Sequence, residues 1–193
     1  MKKIFAVMFA ALASFAVVGS PASAQMMDGG MKSNNPMVGG AAMYRSKTIV
    51  ENALNSPIHT TLVAAVKAAG LVGTLSGKGP FTVFAPTNDA FDKLPAGTVG
   101  TLVMPENKAT LAKILTYHVV AGKYDSKKIA RMIRKGKGTE TFTTVSGGKL
   151  MARMSGNSLV LTDEKGGTST VTTADVYQSN GVIHVIDTVV MPN

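Results

Sequence analysis

Apolar and polar positions alternate along Phe81-Thr82-Val83-Phe84-Ala85, in residue types that suit a pleated, buried surface. This predicts a short strand. Pro86 stops it, because proline cannot donate to a sheet ladder. Thr87 or Asn88 then caps a helix, Asp89 suits its positive end, and Phe91 folds back onto the strand. Strand, stop, cap and helix are thus encoded within thirteen residues, 79–91.

The helical period governs the chain on either side. Ile49, Val50, Ala53 and Leu54 make one apolar face of a helix over 46–54, closed by Asn55-Ser56-Pro57. A second helix runs from Leu62 to Ala69, ends at Gly70 and is apolar nearly all round, which predicts burial. Residues 71–75 read as an apolar link, 76–80 as a loop and 98–104 as a short apolar piece. Pro105-Glu106-Asn107 opens a helix over 108–115 with Leu111, Ile114 and Leu115 inward. Extended chain follows at 117–120. Asp125 or Ser126 caps a helix to about Lys135, with Ile129, Met132 and Ile133 facing the core.

From residue 140 the period changes to two. Strands over 141–145, 149–154, 158–162 and 169–173 form a meander, followed by a short piece at 175–177. An Asn180-Gly181 turn then leads into a central strand over 182–186.

The N-terminus reads differently. A basic start, an apolar run from Ile4 to Val18 and the small residues Ala22-Ser23-Ala24 predict a signal peptide cleaved after Ala24. No other run approaches the roughly 20 apolar residues of a membrane span. Residues 25–43 lack an apolar period and read as a flexible lead-in before one domain over 44–193. That lead-in holds Met26, Met27, Met31, Met37 and Met43, so a Cu(I) tract of soft thioethers is one reading of it. The chain has no cysteine, so disulfides contribute nothing and an ordinary core must hold the domain.

Charge is concentrated. The formal charge is +9, and Lys123 to Lys137 carries seven basic residues against Asp125. On a helix, Lys127, Lys128, Arg131, Arg134 and Lys135 share the outer face. This is either a solvated surface or an attraction for an anionic partner such as a polysaccharide. No aromatic residues interleave there for base stacking, which argues against nucleic acid.

Candidate chemistry is sparse. His59, His118 and His184 show no metal-ligand spacing, and neither a nucleophile elbow nor a carboxylate pair is present. His184 reads as a satisfied residue of a strand, and His118 as part of a hydrogen-bonded structural pair with Tyr117. Gly73 to Gly77-Lys78 is too short for a phosphate loop and precedes its strand, which excludes nucleotide binding of that kind. No cofactor and no catalysis are expected.

Three segments carry a family resemblance. Thr82 to Phe91 resembles the first signature box of the fasciclin domain, Asn180 to Asp187 the second, and Ile114 to Val120 the Tyr-His segment between them. The resemblance implies an α/β domain of α+β type: a compact β-sandwich core with several helices on one side. It also implies an extracellular or envelope location, adhesion to a cell-surface or matrix protein or polysaccharide, and action as a monomer. Binding positions of matrix members match Tyr117-His118 and Asp175-Val176, the latter within Thr-Ala-Asp-Val where the pattern has Glu-Pro-Asp-Ile. Some proteins of this fold bind carotenoids, which makes a carrier of a small apolar ligand the alternative.

Overall fold

The computed structural model describes residues 35–193. The signal-peptide reading and most of the lead-in, including Met26, Met27 and Met31, lie outside the described residues.

Strand β1 (Phe81–Pro86) forms where the alternation predicts it. Thr87 is the cap, its hydroxyl accepting from the Ala90 amide at 3.2 Å, and helix α4 (Asn88–Asp92) follows. Both faces of β1 are covered. Val83 and Ala85 face a cluster formed with the helices, whereas Phe84 faces a second cluster on the other side.

Beside β1, in parallel register, runs β7 (Gly181–Ile186), with Phe81 opposite Gly181 and Pro86 opposite Ile186. The two signature segments are therefore neighbours in the sheet. On the other side of β1 lies the antiparallel β2 (Val119–Ala121). Strands β3 (Thr139–Thr143), β4 (Lys149–Ser155), β5 (Ser158–Thr162) and β6 (Thr168–Gln178) complete the order β2-β1-β7-β6-β5-β4-β3. The fourth meander strand and the piece at 175–177 are one long strand, interrupted by register shifts near Thr173. Such bulges bend a strand sharply, and here the bend lets β6 serve both halves of the sheet. The outer strands then meet, through a bridge between Val120 and Thr144 and a 2.7 Å bond from the Val145 amide to the Val119 carbonyl. The seven strands thus curl into a nearly closed, sandwich-like unit.

Helices α1 (Ile49–Leu54), α2 (Thr60–Ala69), α3 (Val72–Ser76) and α6 (Lys108–Tyr117) cover one side, with the short α5 (Thr98–Leu102) beyond them. The predicted link at 71–75 is thus largely helical. Helix α1 begins at Ile49, because Thr48 and Glu51 form a reciprocal capping box. It ends at Leu54, which leaves that side chain 51% exposed rather than on the buried face. Helix α2 is amphipathic, burying Leu62, Ala65, Val66 and Ala69 and exposing Ala64, Lys67 and Ala68. The packed unit also reaches further back than Tyr44. Val38 and Met43 are buried in the helix-side core, and Val38 pairs with Ala41 across a two-glycine turn. An amide bond pair between Asn35 and Tyr177 fixes the start of this segment.

Polar side chains from the signature segments tie these layers together. Asn180 accepts from the Ile49 amide and donates to the carbonyls of Leu75 and Gly77, so one amide pins α1 and α3 to the β6–β7 turn. Asn88 accepts from the Thr61 amide and donates to the Pro57 carbonyl, capping α2 from the neighbouring helix.

Candidate functional site

Helix α7 (Ser126–Lys135) is the most asymmetric element of the molecule. Ile129 and Ile133 are buried among Phe142, Leu150 and Phe84, while Lys127, Lys128, Arg131, Arg134 and Lys135 are all exposed. Met132 is partly buried against the same cluster. Burying two isoleucines in this way contributes about 3–6 kcal/mol of transfer free energy, which anchors the helix and orients its charges outward. The Asp125 carboxylate accepts from the Lys128 amide at 2.7 Å as N-cap.

A second carboxylate clamps the same helix start. Asp175 sits in β6 at φ 62, a left-handed conformation that Asp tolerates better than most residues. Its two oxygens accept from the Ser126 amide at 2.7 Å and the Ser126 hydroxyl at 2.6 Å. Its own amide donates to His184 Nδ1 at 3.4 Å, and His184 Nε2–H donates to the Tyr124 carbonyl at 2.8 Å. His184 is fully buried and stacked on Phe84, and burial lowers its pKa. It is a satisfied interior residue linking β7, the β6 bulge and the approach to α7.

Of the four positions matched to the binding pattern, Tyr117, His118 and Val176 are buried and Asp175 is partly buried. The Tyr117 ring has no exposed surface. Its hydroxyl donates to the Lys149 carbonyl at 2.5 Å and accepts from the Glu164 amide, and burial raises its pKa to about 12. His118 follows as the C-cap of α6, not as strand. Its Nδ1–H donates to the Ile114 carbonyl at 2.8 Å and Nε2 accepts from the Val190 amide at 3.2 Å. Burial holds its pKa down at about 4. Val176 is buried in the helix-side core, and Asp175 has both oxygens engaged by Ser126. In this fold the four side chains are held by internal contacts. They lie on segments that the sheet closes over, and their polar atoms complete backbone bonds.

Residues remote in sequence gather instead beside the start of α7. The Arg45 guanidinium lies 4.6 Å from the Tyr177 ring centroid and the Lys123 ammonium 5.0 Å from it. The Lys128 ammonium stands 4.3 Å over the Tyr124 ring and donates to the Lys123 carbonyl. Lys47 covers Tyr44 at 5.0 Å. Among the described residues, one salt bridge is found, between Lys93 and Asp187. Arg45, Lys123 and Lys128 are thus held over rings. Arg45 and Lys47 gave no signal in the sequence, since each is an isolated charge outside the basic run.

Other chemistry is thin. Among the described residues, no group of three or more His, Asp or Glu side chains gathers as a metal site, and no helix is long and apolar enough to cross a membrane. Of the candidate copper thioethers that are described, Met37 is 64% exposed and Met43 buried. Under α1, α2 and α3 lies an apolar cavity of about 80 Å³, lined by Val50, Leu62, Val66, Val83 and Ile183 among others. His59 borders it. Its Nδ1 pairs with the Ser56 hydroxyl at 2.7 Å, and its Nε2 lies near the Ala85 carbonyl without completing a hydrogen bond.

The curled mixed sheet and its helical cover define an α+β domain with a charged face. A sequence profile described as the fasciclin domain matches residues 57–192, and the chain belongs to the fasciclin family. It is similar to protein sll1483 of Synechocystis sp., at 47% identity over 96% of this chain and 95% of that one. It is also similar to the cell surface glycolipoprotein MPB83 of Mycobacterium bovis, at 33% identity over 80% of this chain and 64% of that one. Among solved structures, the FAS1 domain pair of the insect cell adhesion molecule fasciclin I superposes with a TM-score of 0.65. That match has 20% identity and covers 74% of this chain and 50% of the other, so it establishes the fold.

Proposed function

We propose that this protein is an exported, non-catalytic adhesion module that binds a cell-surface or matrix polymer or protein through its basic face. The observation that carries this reading is helix α7. Its apolar side is locked into the core, its start is clamped by Asp125 and Asp175, and five cations project from the other side. A rigid element that holds unneutralised charge outward favours contact with an anionic surface and gives the encounter a salt dependence. Family membership supports adhesion, since fasciclin I is an insect cell adhesion molecule and MPB83 a cell surface glycolipoprotein. The signal-peptide pattern read in residues 1–24 supports export.

The test is binding of the mature protein to envelope or matrix material across a salt series. Arg131→Glu with Arg134→Glu is expected to weaken binding at least tenfold while leaving the unfolding midpoint unchanged. Undiminished binding by the charge-reversed protein would sink the electrostatic reading.

A second reading rests on the apolar cavity beside His59. Its almost wholly apolar lining suits a small apolar ligand. Protein purified from its native cell would then carry an extractable apolar molecule, and Val66→Trp, which fills the space, would abolish the carriage. A preparation free of any such molecule counts against it.

A further inference from the structure

The sheet ends that face Lys123 enclose a groove of about 470 Å³ between the α3–β1 loop and the β6–β7 turn. Gly79 and Gly181 lie where the chain entering β1 packs backbone to backbone against the start of β7. A Cβ on Gly79 would lie 1.9 Å from the Asn180 carbonyl oxygen, and one on Gly181 would lie 2.2 Å from the Phe81 oxygen. Neither position accepts a side chain without displacing backbone. Thr48, Ser76, Ser179, Lys78 and Lys123 form the walls. On the adjoining α1, Glu51 is engaged by the amide and hydroxyl of Thr48 at 2.7 and 2.8 Å.

Both lysines stand on fixed backbone. The Asn180 amide holds the Gly77 carbonyl at 2.9 Å, next to Lys78. The Thr82 hydroxyl donates to the Gly122 carbonyl and accepts from the Tyr124 amide, bracketing Lys123. Lys123 in turn shares the Tyr177 ring with Arg45, and Lys128 reaches back to its carbonyl. The groove thus opens onto a basic track, from Lys78 through Lys123 and Arg45 to Lys128 and the outer face of α7, beside which the Asp125 and Asp175 carboxylates are engaged at the helix start. Helix α7 has ten residues, which adds about 15 Å to the track at 1.5 Å per residue.

We propose that this groove binds an acidic polysaccharide, with a carboxylate or sulfate group of one sugar between Lys78 and Lys123 and the following sugars lying along α7. This rests on the adhesion reading and names its ligand class and its tightest contact. Three observations select the ligand. Ser76 and Ser179 offer hydroxyls that match the hydroxyl-rich surface of a sugar. Pro80 is the one apolar side chain among the lining residues, which leaves nothing to insert into a bilayer. The track is far longer than a single anion.

The experiment titrates the mature protein with an alginate octamer, the monomeric uronic acid and phosphatidylglycerol vesicles. Lys78→Gln with Lys123→Gln is compared with Arg131→Gln with Arg134→Gln, and an unchanged unfolding midpoint verifies each fold. The groove variant is expected to lose octamer affinity at least tenfold, and the helix variant less, with the monomer binding far more weakly than the octamer. A larger loss from the helix variant would overturn the groove assignment and leave the adhesion reading standing. Vesicle binding as tight as octamer binding, with the same sensitivity to the groove variant, would overturn the saccharide assignment. No octamer binding at all would overturn the inference, while retained binding to envelope material would keep the broader reading.

Discussion

At the scale of single residues, the polar side chains that look available for chemistry are used to close the fold. His118 illustrates the cost. Burial holds its imidazole neutral, with a folded pKa of about 4 against about 6.5 in a free chain. The unfolded state therefore binds the extra proton as pH falls through this interval. The stabilisation from His118 is complete above about pH 6.5, is lost progressively down to about pH 4, and amounts to about 3 kcal/mol if that shift is fully expressed. His59 and His184 are shifted in the same direction, also by burial. Denaturant unfolding is expected to show stability falling between pH 7 and pH 4, with a shallower slope in His118→Gln. A flat profile across that interval would contradict the buried neutral assignment. The sequence marks His184 and His118 as satisfied structural residues. It gives no sign that their partners are the backbone of Tyr124, Ile114 and Val190, because those separations are set by packing.

At the scale of elements, the beginning of α7 is fastened twice, once locally and once across the sheet. Asp125 is the local cap that the sequence predicts. Asp175 is the remote one, and it depends on the bulge that turns β6 near Thr173. Asp175→Ala removes two hydrogen bonds and places a residue without a compensating side chain at positive φ. It is expected to cost about 1–3 kcal/mol in denaturant unfolding. Amide exchange should accelerate in the first turn of α7, with that of α2 unchanged. Uniform loss of protection across the domain would show that the clamp is not local. The Asp175 carboxylate thereby positions the charged helix.

At the scale of the whole molecule, two apolar clusters lie on opposite faces of the β1–β7 centre. One is shared with the helices and the other is enclosed by the curled sheet and α7. Strand β1 serves both, which is why its alternating residues are all covered from Thr82 onward. The basic track runs across this frame from the loop before β1 to the far end of α7. Its charges belong to three separate stretches of chain that the parallel pairing of β1 with β7 brings to one end of the sheet.

Local order was set by the chain's own pattern. The strand-proline-cap unit, the inward faces of α6 and α7, the meander and the Asn180-Gly181 turn follow from periods and caps within a dozen residues. Helix ends were less legible, as at Leu54, because a single cap decides whether a side chain lies inside or beyond the last turn. Only the tertiary structure turned Tyr117, His118 and Val176 inward, engaged Asp175 internally, built residues 35–43 into the unit and assembled Arg45, Lys78 and Lys123. Hydrophobic periodicity specifies which face of an element is buried. It carries no information about which distant side chain stands opposite, and that is fixed by strand register and closure of the sheet.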